Sequence, residues 1–440
     1  MAIPRGSGYS CQDRADLLQG TMAADPLSWT ELESLAAHRP ERWGEGRREG
    51  PTNAQAELRL FSGSENTVRV TLYRDHHAWC PYCQKVWLWL EEQRIPYRVR
   101  KVTMFCYGEK ERWFRQLVPS GMLPALELDG HLITESDRIL EALEEAFGPL
   151  GFALGDADGM PLRRLERQLF RAWCQWLCQP HGPGSDANAR NGFRQEALAM
   201  EQALAARGGA YLLGTELSSA DVVFVPYVER MNASLAYYKG YLLRQQHPAI
   251  DRWLRALEGR PTYRGTQSDF HTHAHDLPPQ MGGCHASGSV EQRQLAARID
   301  AGPWPVLDGP AADPETSEPA GADAAPIALA RVLRHRQTLL QRNPLGEAGF
   351  DAALRTALTR LALGSAPAAP AGSAPGLRHL RDRISVPRDL PLHAGRVLRQ
   401  ALEATAASDP LQPNGQGQPI PLHHRRDQDP RPFLTGTPSV

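Results

Sequence analysis

The chain has 440 residues, room for two or three domains, and its 49 Lys and Arg stand against 50 Asp and Glu for a formal net charge of −1. A charge so close to zero creates no field that would favour nucleic acid, a membrane surface or a polyanion, and no apolar run is long enough to span a bilayer. Met1 to Gly20 lacks the apolar core of a signal peptide, acids such as Asp13, Asp16 and Asp25 argue against a transit peptide, and seven cysteines with one close Cys-x-x-Cys make no disulfide framework, so a reducing, cytoplasmic setting is expected.

Residues 1–66 are weakly patterned, with one helix expected over 29–37, capped by Ser28 or Thr30. This extension carries no evident chemistry and is expected to pack on the first domain. From Val68 the pattern becomes strand, helix, strand, helix, strand, strand, helix. The β-rich run 68–73 leads into Trp79-Cys80-Pro81-Tyr82-Cys83, and residues 84–90 have apolar positions at helical spacing. Cys80 therefore stands at the mouth of a helix, where unpaired N–H groups and the positive end of the macrodipole favour a thiolate, and Pro81 suits the first helical position. A second strand over 97–102 and a short helix over 109–117 follow. Two strands then flank Asp129-Gly130, a strong hairpin signal, before a closing helix that ends near Phe147-Gly148-Pro149. An order of βαβ then ββα is the thioredoxin layout, so 67–148 reads as an α/β domain.

Beyond Gly148-Pro149-Leu150-Gly151, residues 152–265 are helical by pattern, with a capping box at Ser218 and Asp221. Residues 266–290 read as a turn-rich, extended, His-rich connecting segment. In 291–440 Ala, Pro, Gly and Arg dominate. Amphipathic helices are expected over 327–341, 350–363 and 392–402, joined by linkers at 308–326 and 365–376. With Trp304, Phe350 and Phe433 as its only large aromatics, this extension is expected to lack a large core of its own and to dock on the first two domains or on a partner.

For Cys80 and Cys83 a zinc site would need two more ligands at compatible spacing, and no second Cys-x-x-Cys exists. Thiol chemistry is the reading, with Cys80 as nucleophile and Cys83, one turn further in, either as resolving thiol or as a residue that fills the helix. His76 and His77 either supply an imidazolium beside the nucleophile or merely end a strand. His271, His273 and His275 alternate as three imidazoles on one strand face would, a geometry that suits a metal. The favoured reading is instead a linker whose histidines bond across the domain interface or line the cleft, so no metal is expected. Trp173, Trp176, Tyr237 and Tyr238 offer aromatic surface for an apolar substrate pocket, or belong to the core. Cys106, Cys174 and Cys178 are read as buried, inert thiols.

Residues 68–265 resemble the glutathione transferases. The resemblance rests on Cys80-Pro81-Tyr82-Cys83, on Gly121-Met122-Leu123-Pro124-Ala125-Leu126, which is similar to the cis-proline turn of that family, and on Glu135-Ser136, which is similar to the pair opening its third helix. In the next domain it rests on the box after Leu212-Leu213-Gly214 and on Pro248 to Trp253. The resemblance implies an α/β thioredoxin-like domain, an all-α transferase domain and a mostly helical, partly flexible C-terminal extension. It implies glutathione as co-substrate, with the Leu123 backbone beside Pro124 pairing with the cysteinyl unit, Glu135 and Ser136 holding the γ-glutamyl end, Lys110 the glycyl carboxylate, and Tyr82 within the same site. The Cys-Pro-Tyr-Cys form resembles glutaredoxins and the cysteine-type transferases, and the strings around 76–80 and 104–110 with the long extension resemble the iota class of cyanobacteria and algae. The implied function is a glutathione-dependent thiol transferase or reductase that deglutathionylates small-molecule or protein disulfides and reduces dehydroascorbate. The alternative is a glutathione-binding, redox-sensing scaffold whose C-terminal helices recruit a protein partner. A homodimer through the two domains is implied unless the extension covers that surface.

Overall fold

The computed structural model describes residues 25–37, 48–153, 155–301 and 313–411. The readings made for residues 1–20, for Trp304 and Phe433, and for the start of the 308–326 linker lie outside them.

Helix α1 (Trp29–Ala37) opens the described chain. Of its two candidate caps Ser28 is used: its hydroxyl accepts from Glu31 N at 3.3 Å while Glu31 Oε2 accepts from Ser28 N at 2.8 Å, a reciprocal box. The sheet runs β1 (Leu58–Arg59), β2 (Val70–Asp75), β3 (Tyr97–Val102), β4 (Ala125–Leu128) and β5 (His131–Thr134), in the order β1-β3-β2-β4-β5. Only β2 and β3 are parallel, joined through α2 (Pro81–Glu92). Next come α3 (Arg112–Leu117), before β4, and α4 (Ser136–Phe147), after β5. The thioredoxin-like arrangement is therefore as expected. Strand β1, from within the 1–66 stretch, adds an edge that the sequence pattern did not suggest. Arg59 holds it there through a buried ion pair with Glu91 of α2 at 2.9 Å.

The all-helical domain comprises α5 (Gly159–Cys178), α6 (Pro183–Ala206), α7 (Ser219–Ser234) with a π-helical turn over Leu235–Lys239, α8 (Leu243–Gln246), α9 (Pro248–Glu258) and α10 (Pro261–Thr266). Its central α7 is buried all round and packs on α2, and Trp89 Nε1 donates to Ser219 Oγ at 3.2 Å across that junction. One apolar core thus runs through both domains.

The segment read as an extended linker is a helix, α11 (Phe270–Met281). Asp269 caps it by accepting from Thr272 N at 2.9 Å, and Gly282 ends it with φ 77°. Pro278 and Pro279, which argued for a turn, sit near its C-terminal end.

The extension also differs from expectation. The three anticipated helices are present as α13 (Ala324–Arg342), α14 (Gly346–Leu363) and α16 (Leu392–Ala406), and two more occur, α12 (Val290–Asp300) before them and α15 (Ala374–Arg383) among them. Helix α12 packs on the π-helical turn of the helical domain, while α13 to α16 enclose a separate apolar core that includes Leu329, Phe350, Ala353, Leu354, Ala357, Leu358, Leu377 and Leu402. Alanines let these helices approach closely, so leucines fill the interior where large aromatics are few. Helix α1 completes this bundle instead of covering the first domain: Leu32 is buried in it and Trp29 Nε1 donates to Asp351 Oδ1 at 2.7 Å. The bundle docks on α11 through the buried pair of Arg399 with Asp269 at 3.1 Å. Among the described residues no helix is long and apolar enough to cross a membrane.

Candidate active site around Cys80

The sheet brings the three sequence motifs to one edge. Tyr73, near the end of β2, pairs with Ala125 at the start of β4, and Ala125 pairs with Thr134 at the end of β5. The loop to Cys80, the Leu123–Pro124 turn and the Glu135–Ser136 pair therefore all leave the sheet at the same end. The Leu123–Pro124 bond is cis. Glu135 takes the N-cap position of α4 with φ 67° and is exposed, while Ser136 behind it is buried. Asp137 of that helix forms ion pairs with Lys85 of α2 and, at 3.0 Å, with Arg163.

Cys80 is the N-cap residue of α2, with Pro81 in the first turn and no side-chain bond capping the helix. Its sulfur, that of Cys83 and a carboxylate oxygen of Asp75 lie within 4.8 Å of one another. Burial holds the Cys83 thiol well above its ordinary pKa, and hydrogen bonding to Cys80 adds to this, so Cys83 is a protonated donor beside the Cys80 sulfur. Asp75, at the end of β2, accepts from Trp79 N at 2.6 Å and fixes the turn into α2. The only sequence signal for it was an acid four residues before Trp79.

Trp79 connects this turn to α11. Its indole N–H can only donate, so His273 Nδ1, 3.1 Å away, is the acceptor and the ring proton lies on Nε2, facing Glu229 Oε1 at 2.7 Å. Burial lowers the His273 pKa, in keeping with a neutral ring. The Arg230 guanidinium lies 4.7 Å from the centre of the Trp79 ring, donates to Trp79 O, and bonds Gln84 Oε1 at 2.8 Å. Asp75, Gln84, Glu229 and Arg230 escaped the sequence reading because each acts on a partner distant in sequence or through the backbone.

Lys110 Nζ donates to Thr103 O at 3.1 Å, and its stem lies against Gly121 of the cis-proline loop. Burial lowers its pKa, and it stands within electrostatic reach of Cys83 and Cys80. Tyr82 is partly exposed and meets Tyr227 edge-on at 5.8 Å, with Phe170 and Arg167 beyond. Desolvation lowers the His76 pKa and nearby Arg388 reinforces this, so His76 supplies no imidazolium; His77 stacks on Tyr107 at 3.7 Å.

The aromatic residues considered for a substrate pocket are engaged in hydrogen bonds within the helical regions. Trp173 and Trp176 are buried, donating to Ser234 Oγ and Asp186 Oδ1 at 3.0 Å each, and Tyr237 and Tyr238 donate to Asp300 Oδ2 at 3.0 Å and Ala274 O at 2.8 Å. Cys106 is inert as expected, pushed up to about 12 by burial. Cys174 likewise stays a protonated thiol, pushed up by its hydrogen bond to Cys178 and by burial, whereas Cys178 departs from that expectation. Cys178 accepts hydrogen bonds from Cys174 and from Cys284, which pull its pKa down to about 4.

A thioredoxin-like domain with a cysteine capping its first long helix, a cis-proline at the same sheet edge and an all-helical domain behind is the arrangement that the sequence resemblance implies. The glutathione S-transferase N-terminal domain family matches residues 79–146 and the corresponding C-terminal domain family residues 187–256. The N- and C-terminal domain models of the glutathione S-transferases are thus both matched, in that order along the chain. Glutathione S-transferase DHAR2 of Arabidopsis thaliana is 25% identical over 197 residues, 43% of this chain and 84% of that protein. Glutathione S-transferase omega-1 of Rattus norvegicus is 25% identical over 177 residues, 38% and 69% of the two chains. Among solved structures, dehydroascorbate reductase of Chlamydomonas reinhardtii is similar over 46% of this chain and 93% of its own, at 20% identity and a TM-score of 0.39.

Proposed function

We propose that this chain is a cysteine-type glutathione-dependent thiol transferase, acting on glutathionyl mixed disulfides and, as the names of its relatives suggest, on dehydroascorbate. The observation that carries the reading is the residue at the N-cap of α2, a cysteine at the sheet edge of the cis-proline. A hydroxyl there would stabilise a glutathione thiolate for conjugation; a sulfur can form a disulfide with it. The Cys80 thiolate attacks the glutathionyl sulfur of the mixed disulfide, the substrate leaves as a thiol, and a second glutathione thiolate attacks the Cys80 adduct to release oxidised glutathione. In this reading the Leu123 backbone pairs with the cysteinyl unit, Glu135 and Ser136 hold the γ-glutamyl end at the start of α4, Lys110 faces the glycyl carboxylate, and Tyr82 borders the site. Cys83, buried and protonated, fills the helix and is dispensable for turnover. The iota-class resemblance, a cytoplasmic setting and a protein partner held by the extension belong to the same proposal.

The test combines thiol-transferase turnover with mass spectrometry after treatment with oxidised glutathione, on wild type, Cys80→Ser and Cys83→Ser. Wild type and Cys83→Ser should turn over and carry one glutathionyl group on Cys80. Full turnover by Cys80→Ser would end the proposal. Glutathione binding by wild type with no turnover would favour the redox-sensing scaffold.

A further inference from the structure

A second cluster of ligand-type side chains lies where the helical domain meets the extension. His271 and His275, four residues apart on α11, share one helix face with ring centroids 4.6 Å apart. Asp300, the last residue of α12, reaches them from the neighbouring helix, its Oδ1 2.7 Å from His275 Nε2. One ligand atom from each of the three lies within 4.8 Å of those of the others. His273 points to the opposite side, toward Trp79, so the helix separates the three histidines that a strand would have aligned.

All three residues are buried, and His271 is fully enclosed with neither ring nitrogen within ordinary hydrogen-bond distance of a partner. A buried imidazole left so costs about 1–3 kcal/mol per unmatched group, so its position calls for a ligand. A fourth group is close: Asp382 Oδ1 of α15 stands 3.6 Å from His271 Nε2.

We propose that His271, His275 and Asp300, with Asp382 as fourth ligand, form a site for a zinc-like divalent cation that joins α11, α12 and α15. Two neutral imidazoles and two carboxylates are a donor set that suits tetrahedral zinc, and the two carboxylates balance its charge. The cation replaces the proton now shared by His275 and Asp300, and that pair opens to about 3.3 Å, the ligand separation of a tetrahedron with bonds of about 2.0–2.1 Å. Neighbouring groups already orient the ligands: Tyr237 donates to Asp300 Oδ2 at 3.0 Å and Arg381 to Asp382 Oδ1 at 2.7 Å. Of the nearby guanidinium groups, Arg399 is paired with Asp269, and Arg381 shares Glu403 with Arg378. The site clamps the extension onto the transferase body and is independent of the chemistry at Cys80.

The test uses the full chain without a histidine tag, freed of metal by chelator and titrated with zinc chloride alone, in wild type and in a background where Cys80, Cys83 and Cys178 are serine. Both should bind one zinc per chain and unfold at a higher temperature with it. His271→Gln and Asp300→Asn should each weaken binding by about 100-fold or more, beyond what loss of a ligand-orienting neighbour costs. Absence of zinc binding by wild type overturns the proposal without any variant. So does loss of binding in the serine background, or wild-type affinity in both ligand variants.

Discussion

Trp79→Phe is the sharpest probe of how α11 supports the nucleophile. The change keeps an aromatic ring between Asp75 and Cys80 but removes the indole N–H, leaving His273 Nδ1, fully buried, without its donor 3.1 Å away. An orphaned buried acceptor costs about 1–3 kcal/mol. The Arg230 guanidinium, 4.7 Å from the ring centre and desolvated, loses part of a cation–π contact of roughly 2 kcal/mol, because phenyl is the weaker partner. The expected loss is about 2–4 kcal/mol, measured by equilibrium urea unfolding of wild type and variant. A double-mutant cycle with His273→Gln isolates the shared bond and should return a coupling of about 1–3 kcal/mol. A loss below about 0.5 kcal/mol, or a coupling within the roughly 0.3–0.5 kcal/mol scatter of additive sites, would refute the reasoning. Turnover should fall in the same variant, since Arg230 and Asp75 hold the Trp79 backbone that positions Cys80.

Asp221→Ala removes a buried carboxylate that accepts from Leu212 N, Ser218 N, Ser218 Oγ and Trp253 Nε1 at 2.8–2.9 Å; unfolding should show a loss of at least about 3 kcal/mol, and one below about 1 kcal/mol would contradict the assigned bonding. Gly265→Ala would put a Cβ 2.3 Å from Thr52 O, a backbone atom, and should cost about 1–3 kcal/mol through separation of α10 from the loop before β1, with a matching drop in melting temperature. Cys178, with its pKa drawn down to about 4, is a thiolate throughout the neutral range, so in a Cys80→Ser background its alkylation by iodoacetamide, mapped by mass spectrometry, should hardly change between about pH 5 and pH 8. A rise of about tenfold per pH unit, as for an ordinary thiol, would show that Cys174 and Cys284 do not hold it in that state.

What the sequence determined by itself was local. Cys80 at a helix mouth, the Ser218–Asp221 box and the Asp129-Gly130 hairpin each depend on residues within a few positions of one another, where periodicity and capping chemistry act directly, and the cis-proline turn was legible through its resemblance to a family motif. The thioredoxin order and the two matched domains were legible for that reason. Tertiary structure decided whatever joined distant positions. His273 meets Trp79 across a separation of 194 residues, and the alternation that suited a strand became a helix once Asp269 capped it and Arg399 clamped the cap. Helix α1 left the first domain for the C-terminal bundle because Trp29 and Leu32 find there an apolar groove and an Asp351 acceptor, neither visible in a nine-residue pattern. The core of the extension was missed because aromatic content was the measure, whereas alanine-lined helices bury leucine well through close approach. Cys178 departs from the inert thiol expected of it because two sulfur donors, one a turn earlier on α5 and one beyond α11, converge on it. Such convergence is a property of packing, and composition and spacing carry no trace of it.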